Sequence, residues 1–327
     1  MQLFIFLSNA CNLRCKGCPV AKEHKQSLTM EDIETIATWD YDRVALLGGE
    51  PFLVKNLDKI IDILDKPTTI YTNGTLLNEK NFIENIIYAV SIDSLNRKVN
   101  DSIRGVGVYK KVMNAIDLLM KNRDRVKEII LRATYNQRNY QDMFAMIEFC
   151  RDRNIGLALH PRIGFEKYNG KLYTGLTANQ QLKLFTEIAK HDKMVVLTPH
   201  FFQWIKRKNY RCPAGEFRLS INYNGDVKPC QWGSYVIGNV RYDDFDFLKE
   251  EGIKYNREFI QKRFPSSCLH CERLSQCHGG CELITDTKRC PLGFNIKYNI
   301  SSFLDQGQVD KYKISMGKLG KMGFSGC

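Results

Sequence analysis

Apolar and polar positions alternate in blocks over the first 190 residues. Short runs that are apolar at nearly every position, such as Arg43-Val-Ala-Leu-Leu47, read as strands covered on both faces. Strands are expected at 2–7, 43–47, 68–72, 87–92, 128–135 and 155–160. The stretches between them carry the helical repeat: Val112, Ala115, Ile116 and Leu119 share one face of a 3.6-residue period. Helices are expected near 29–38, 55–65, 78–86, 108–121, 139–152 and 177–190. Strand–helix alternation of this kind implies right-handed crossovers and a parallel sheet. Six units fall short of the eight of a closed barrel, so the expected fold is α/β, a partial (β/α)6 open barrel. Ligands of such sheets sit at the carboxyl ends of the strands.

After about residue 205 the pattern changes. Helical periodicity weakens, and Cys, Gly and Pro become frequent from Cys212 to Cys290. Asn224-Gly225, between Phe217–Tyr223 and Asp226–Cys230, signals a hairpin. A segment this poor in periodic apolar residues is expected to build little core and to take its folding energy from metal sites. The organisation expected is therefore a barrel over 1–205, a small Cys-rich domain over 206–295 and a basic Gly/Lys-rich tail over 296–327 that ends on Cys327.

Composition changes this picture in two ways. The net charge of +12 suits anionic partners, yet Lys and Arg are spread through 121–132, 206–211 and the tail after Lys311, without one dominant block. Nucleic acid stays an alternative partner and is not the favoured one. No apolar run reaches the about 18 residues of a membrane span, and Leu3–Leu7 is too short and lacks the basic flank of a secretion signal. A cytoplasmic protein with no membrane partner is expected. Twelve cysteines in a reducing compartment point to metal ligation rather than disulfides.

Cys11-Asn-Leu-Arg-Cys15-Lys-Gly-Cys18 follows the first strand, at the end where a site is expected. Three thiolates on one short loop can hold three corners of a 4Fe–4S cube, leaving one iron without a protein ligand. An open iron suits a cluster that binds substrate, whereas an electron carrier has four cysteines. The alternative is zinc, with His24 as the fourth ligand. Gly48-Gly49-Glu50-Pro51 follows the second strand, Thr72-Asn73-Gly74-Thr75-Leu76-Leu77 the third, and Ser91-Ile92-Asp93 lies on the fourth. Each alone is an ordinary turn or cap. Their weight lies in their order at one end of one sheet.

On these residues the chain resembles the radical S-adenosylmethionine superfamily, whose C-x3-C-x2-C motif stands as Cys11, Cys15 and Cys18. The resemblance implies that these three hold the cluster and are catalytic through it. It implies that Gly48, Gly49 and Glu50 hold the amino group of S-adenosylmethionine, that Ser91 and Asp93 reach its ribose, and that Asn73 supports the cofactor. Arg104, in Ser-Ile-Arg-Gly, matches a further family position near it. One departure is Gly17, where the family commonly has an aromatic residue on the adenine.

A second set reads Cys212, Cys230, Cys268-x2-Cys271-x5-Cys277-x3-Cys281 and Cys290. It resembles the SPASM-type C-terminal extension of the same superfamily, with Cys277-His-Gly-Gly-Cys281 and Ile237-Gly238-Asn239-Val240 also typical. The resemblance implies two auxiliary 4Fe–4S clusters, one on Cys268, Cys271, Cys277 and Cys290, the other on Cys212, Cys230 and Cys281. Cys327 reads first as a free terminal thiol and fills the last position only if the tail folds back, and structural zinc using His270 or His278 is the alternative to the clusters. Cys150, inside the 139–152 helix, reads as an inert buried thiol.

The chemistry implied is a 5′-deoxyadenosyl radical that takes hydrogen from an unactivated C–H bond, with auxiliary clusters accepting an electron. This favours oxidoreductase action, dehydrogenation or crosslinking, on a peptide or protein side chain, supplied by a low-potential donor such as a flavodoxin or ferredoxin. Gln231 stands where sulfatase-maturating members carry an Asp base, and an amide cannot take a proton, so that reaction is disfavoured. No region of about 80 residues precedes the barrel to bind a leader peptide, so peptide recognition is expected to use a partner protein or the sheet face. His160, Arg162 and Glu166 are candidates for the substrate mouth. The other classes open are radical modification of tRNA, DNA or a nucleotide-derived small molecule, and a non-catalytic iron–sulfur electron carrier.

Overall fold

A computed structural model of the protein describes residues 1–20, 25–164 and 212–260. Between them it also describes residues 171–172, 176–177, 180, 183–184, 187 and 195–197. These residues fall in two compact units. The first comprises 1–92, 100–130 and 213–259, and the second comprises 93–99, 131–212 and 260–327.

The first unit is a parallel sheet with one antiparallel edge. Strand β1 (Gln2–Ser8) is buried at all seven positions, as a strand covered on both faces must be. It pairs in parallel with β2 (Arg43–Gly48), which pairs with β3 (Thr68–Thr72), which pairs with β4 (Ile87–Ser91). Four helices lie between these strands and beyond them. Helix α1 (Met30–Ala37) starts on a capping box in which Thr29 Oγ1 accepts from Asp32 N and Asp32 Oδ2 accepts from Thr29 N. It buries Ile33 and Ile36. Helix α2 (Leu57–Leu64) buries Leu57, Ile60 and Leu64. Helix α3 (Arg97–Arg104) buries only Asn100 and Ile103, and α4 (Val108–Lys121) buries Val108, Val112, Ala115, Ile116 and Leu119. Phe4, Phe6, Ala45 and Leu47 form a separate cluster with Tyr71 and Tyr223 packed against it.

In the second unit, β5 (Glu128–Tyr135), which begins in the first, leads to α5 (Asp142–Arg153) and β6 (Gly156–Pro161). The strands β7 (Ile163–Gly164) and β8 (Lys171–Leu172) form a small antiparallel pair, and β9 (Val195–Leu197) pairs in parallel with β6. Met143, Met146, Ile147 and Cys150 line the buried face of α5.

The six strands and the helices at 29–38, 55–65, 108–121 and 139–152 appear where periodicity puts them, and the α/β reading holds. Two expectations are corrected. Residues 78–86 form no helix, because asparagine side chains take over the backbone groups. Asn81 Oδ1 accepts from Asn78 N, Asn78 Oδ1 accepts from Lys80 N, Asn81 Nδ2 donates to Leu76 O, and Asn85 sits at φ 58°. Residues 213–259 also do build core. Strand β10 (Arg218–Ile221) pairs in parallel with β1, Phe4 opposite Ser220, and turns at Gly225 (φ 88°) into antiparallel β11 (Asp226–Lys228), followed by β12 (Gly238–Asn239). Helix α6 (Phe245–Tyr255), capped by Asp244, buries Phe245, Leu248 and Tyr255. Phe245 stacks on Trp39, centroids 4.8 Å apart. Of the helix expected at 177–190, too few residues are described to trace it.

Candidate functional site

The cysteine loop is fixed at both ends against β1. Ser8 Oγ donates to Gln26 O (2.9 Å) and accepts from Ala10 N (3.0 Å). Asn9 Oδ1 accepts from Gln26 N (2.8 Å), and Leu28 N donates to Leu7 O (3.0 Å). The turn after β2 then closes on it: Gly49 N donates to Ser8 O (2.7 Å) and Glu50 N to Ala10 O (2.8 Å). Glycine is required twice here. A Cβ on Gly48, whose φ is +136°, would lie 2.2 Å from Ser8 O, and one on Gly49 would lie 2.0 Å from Ala10 O.

Glu50 joins this turn to the end of β3. Its carboxylate, 1% exposed, accepts from Thr72 Oγ1 (2.7 Å) and Phe52 N (3.2 Å) on Oε1 and from Asn73 N (2.7 Å) on Oε2. Burial pushes its pKa up, and the three donors pull the other way. All three donors belong to the protein, so the carboxylate acts first as a brace between two loops. Asn73 reaches onward from it. Its Nδ2 lies 2.9 Å from Asn12 Oδ1 and 3.8 Å from Cys11 Sγ.

Of the three thiols, Cys11 and Cys15 are half-buried and Cys18 is exposed. Cys11 Sγ accepts from Leu13 N (3.4 Å) as well as from Asn73. Burial raises the Cys11 thiol, Leu13 N–H lowers it, and the Glu50 carboxylate and Cys18 add to the rise. Cys15 Sγ donates to Arg104 O (3.7 Å), and Lys16 N to Ile103 O (2.9 Å), so the carboxyl end of α3 holds the middle of the loop. Cys18 N bonds back to Cys15 O (3.2 Å).

This donor set fits an iron–sulfur cluster. Three sulfurs lie within eight residues, and one already receives the N–H donors that a ligating thiolate accepts. Among the described residues no three Cys, His, Asp or Glu side chains converge as a closed metal site, so the thiols share a loop rather than a finished tetrahedron.

The remaining expected residues divide. Ser91 ends β4, half-buried. Asp93 belongs to the second unit, where its Oδ1 accepts from Thr134 N (2.8 Å) and its carbonyl from Asn139 Nδ2 (2.7 Å). His160 Nε2 lies 3.1 Å from Arg132 Nη2, and Arg162 N donates to Tyr135 O. Cys212 is buried and Cys230 half-buried, just past β11. Gln231, beside it, is 8% exposed with Oε1 lacking a hydrogen-bond partner. His24, Glu166, Cys268, His270, Cys271, Cys277, His278, Cys281, Cys290 and Cys327 lie outside the described residues. Asn12 and Thr75, which orient Asn73, were not singled out one by one in the sequence. The signal for them is a small polar residue between two cysteines and another after an Asn-Gly turn.

Residues 5–154 match the Radical SAM superfamily, and residues 212–272 match SPASM, an iron–sulfur cluster-binding domain. The biosynthesis protein AlbA of the antilisterial bacteriocin subtilosin, from Bacillus subtilis (strain 168), is 25% identical over 303 residues, 85% of this chain and 66% of AlbA. The chain thus spans just under two thirds of that relative. A probable GTP 3′,8-cyclase of Methanocaldococcus jannaschii is 28% identical over 265 residues, 70% of this chain and 84% of the cyclase. Among solved structures, SuiB of Streptococcus suis superposes with a TM-score of 0.69 at 21% identity, covering 90% of this chain and 76% of SuiB, which bears on fold alone. SuiB is also known bound to S-adenosylmethionine and to its precursor peptide SuiA. Two matches in order along one chain, the first spanning the cysteine loop and its braces, mean that the protein belongs to the radical S-adenosylmethionine superfamily and carries an iron–sulfur domain of SPASM type.

Proposed function

We propose that the chain is a radical S-adenosylmethionine enzyme that oxidises a peptide or protein side chain, by dehydrogenation or crosslinking. Cys11, Cys15 and Cys18 hold the first cluster, and Cys212, Cys230, Cys268, Cys271, Cys277, Cys281 and Cys290 hold two auxiliary ones. A cluster held by Cys11, Cys15 and Cys18 would supply one-electron reduction of S-adenosylmethionine, the source of a radical able to take hydrogen from a C–H bond.

The protein's own part is positional. Gly48 and Gly49 let the turn after β2 touch the cysteine loop, and Glu50 ties that turn to Asn73. Arg104 and Ile103 anchor Cys15 and Lys16 through their carbonyls. Loop ends held this way are already ordered before a ligand enters, which lowers the entropy cost of positioning it. The observation that carries the reading is the convergence of the ends of β1, β2 and β3 on Cys11. The peptide substrate is supported by the likeness to AlbA and by the fold shared with SuiB, whose ligand is a precursor peptide.

A second reading, a nucleotide-derived substrate, is favoured by the 28% identity with the GTP cyclase and by the net charge of +12. One experiment separates them. The anaerobically reconstituted, reduced protein is given S-adenosylmethionine alone, with candidate precursor peptides, or with GTP, and 5′-deoxyadenosine is measured. Stimulation by peptide that vanishes in Cys15→Ala supports the first reading, and stimulation by GTP the second. Failure to bind S-adenosylmethionine at all would leave an electron carrier.

A further inference from the structure

The side-chain amide of Asn73 has a single consistent orientation. Thr75 N–H can only donate, and it lies 2.9 Å from Asn73 Oδ1, so that atom is the carbonyl oxygen. Thr75 Oγ1 accepts from Asn12 Nδ2 (2.8 Å) and therefore spends its own proton on the same Asn73 oxygen (2.6 Å). Asn12 then presents Oδ1 to Asn73 Nδ2 (2.9 Å). The ring closes with every proton assigned. One N–H of Asn73 goes to Asn12, and the other faces Cys11 Sγ at 3.8 Å. The Asn73 backbone is equally fixed, its N–H held by the buried Glu50 carboxylate.

We propose that Asn73 is a positioning residue for the first cluster. Its N–H donates to the Cys11 sulfur and raises the reduction potential of the cluster, while Asn12 and Thr75 act by locking the amide. The inference rests on the reading of Cys11 as an iron ligand. The physical reason is that one-electron reduction increases the negative charge on the cluster sulfurs, and an N–H dipole pointed at them stabilises the reduced form more than the oxidised one.

The test is a reductive titration of the full, anaerobically reconstituted chain followed by electron paramagnetic resonance. The first cluster is recognised as the signal that changes on adding S-adenosylmethionine. Asn73→Asp is nearly isosteric and sets an acceptor oxygen where the donor stood; its midpoint is expected to be more negative than wild type at unchanged iron content. Thr75→Val, which loses the hydroxyl but keeps the backbone donor, is expected to shift the same way by less, and Thr75→Ser to match wild type. Unchanged midpoints in both Asn73→Asp and Thr75→Val overturn the proposal. Where Asn73→Asp assembles no cluster, Thr75→Val decides alone: a negative shift supports the proposal and no shift overturns it. A merely structural role would change iron content without moving the midpoint. Failure of the underlying reading looks different: Cys11→Ala would keep the full iron content and the S-adenosylmethionine-sensitive signal.

Discussion

Arg241 Nε and Nη2 lie 2.8 and 2.9 Å from the two carboxylate oxygens of Asp32, a bidentate pair between residues 209 positions apart. Asp32 is 3% exposed on its side chain and Arg241 39%. The same carboxylate closes the capping box of α1 through Thr29 N. With Trp39 stacked on Phe245, this pair fastens residues 241–245 to α1 and its C-terminal turn within the first unit.

The pair gives a stability signature with a definite sign. The Arg241 hydrogen bonds hold the Asp32 carboxyl below its ordinary value, against the opposing pull of burial. A depressed folded-state pKa contributes stability above the unfolded value, about 3.9, and loses it as pH falls through the folded one. Arg241→Ala should therefore lower the urea midpoint at pH 6–7, and the gap to wild type should close below about pH 4 as Asp32 protonates in both. A gap constant from pH 7 to 3 would mean that Arg241 acts by packing alone.

Strands β1, β2 and β4 were legible because they are apolar at consecutive positions, a pattern that needs no tertiary information. Helix α3 was not legible, since only Asn100 and Ile103 turn inward and no apolar stripe marks it. Helix α6 did have signals: Asp244 caps Phe247 N at 2.8 Å, and Phe245, Leu248, Gly252 and Tyr255 share a face. They were hidden by a Cys-rich surrounding that reads as irregular. The β10–β1 pairing joins residues 2–5 to 218–221, and no local pattern encodes a contact so distant. At the site, the cysteines and glycines could be read from spacing, while the Asn12–Asn73–Thr75 ring could not, because it depends on the cysteine loop meeting the turn after β3.

Gly49 and Gly107 make a controlled pair. A methyl on Gly49 meets the Ala10 carbonyl, which is backbone and cannot step aside. Gly49→Ala should cost about 1–3 kcal/mol or more, with loss of iron from the first site. Gly107→Ala has nothing within 4 Å and a φ of +79°, so it should cost only about 1–2 kcal/mol for left-handed backbone and keep its iron. Thermal denaturation and iron analysis of both variants check this. Equal iron loss in the two would mean that general destabilisation, not the close approach at Ala10, controls the loop.

Thiol reactivity ranks the described cysteines. Alkylation needs the thiolate and access to it. Cys18 is exposed, whereas Cys150 is fully buried with its pKa pushed up to about 12 by desolvation. Mass mapping of cluster-free protein after brief iodoacetamide treatment should find Cys18 modified first, Cys11 and Cys15 later, and Cys150 untouched until unfolding. Early labelling of Cys150 would mean that α5 opens on the labelling timescale.

The last prediction separates the two cysteine sets. If Cys212 and Cys230 serve an auxiliary cluster while Cys11, Cys15 and Cys18 serve the first, the wild-type chain binds about 12 irons and Cys230→Ala about 8. Cys230 follows β11, separated in the sheet by β10 and β1 from β2 and β3, whose turns brace the cysteine loop. The braces at Gly49, Glu50 and Asn73 do not involve it, so Cys230→Ala should still cleave S-adenosylmethionine to 5′-deoxyadenosine. Under the oxidative reading, product should fall by at least tenfold, because the substrate radical would lose an electron acceptor. A variant that loses cleavage and product together would make Cys230 part of the first site's support. One that keeps full product formation would remove the auxiliary cluster from the reaction.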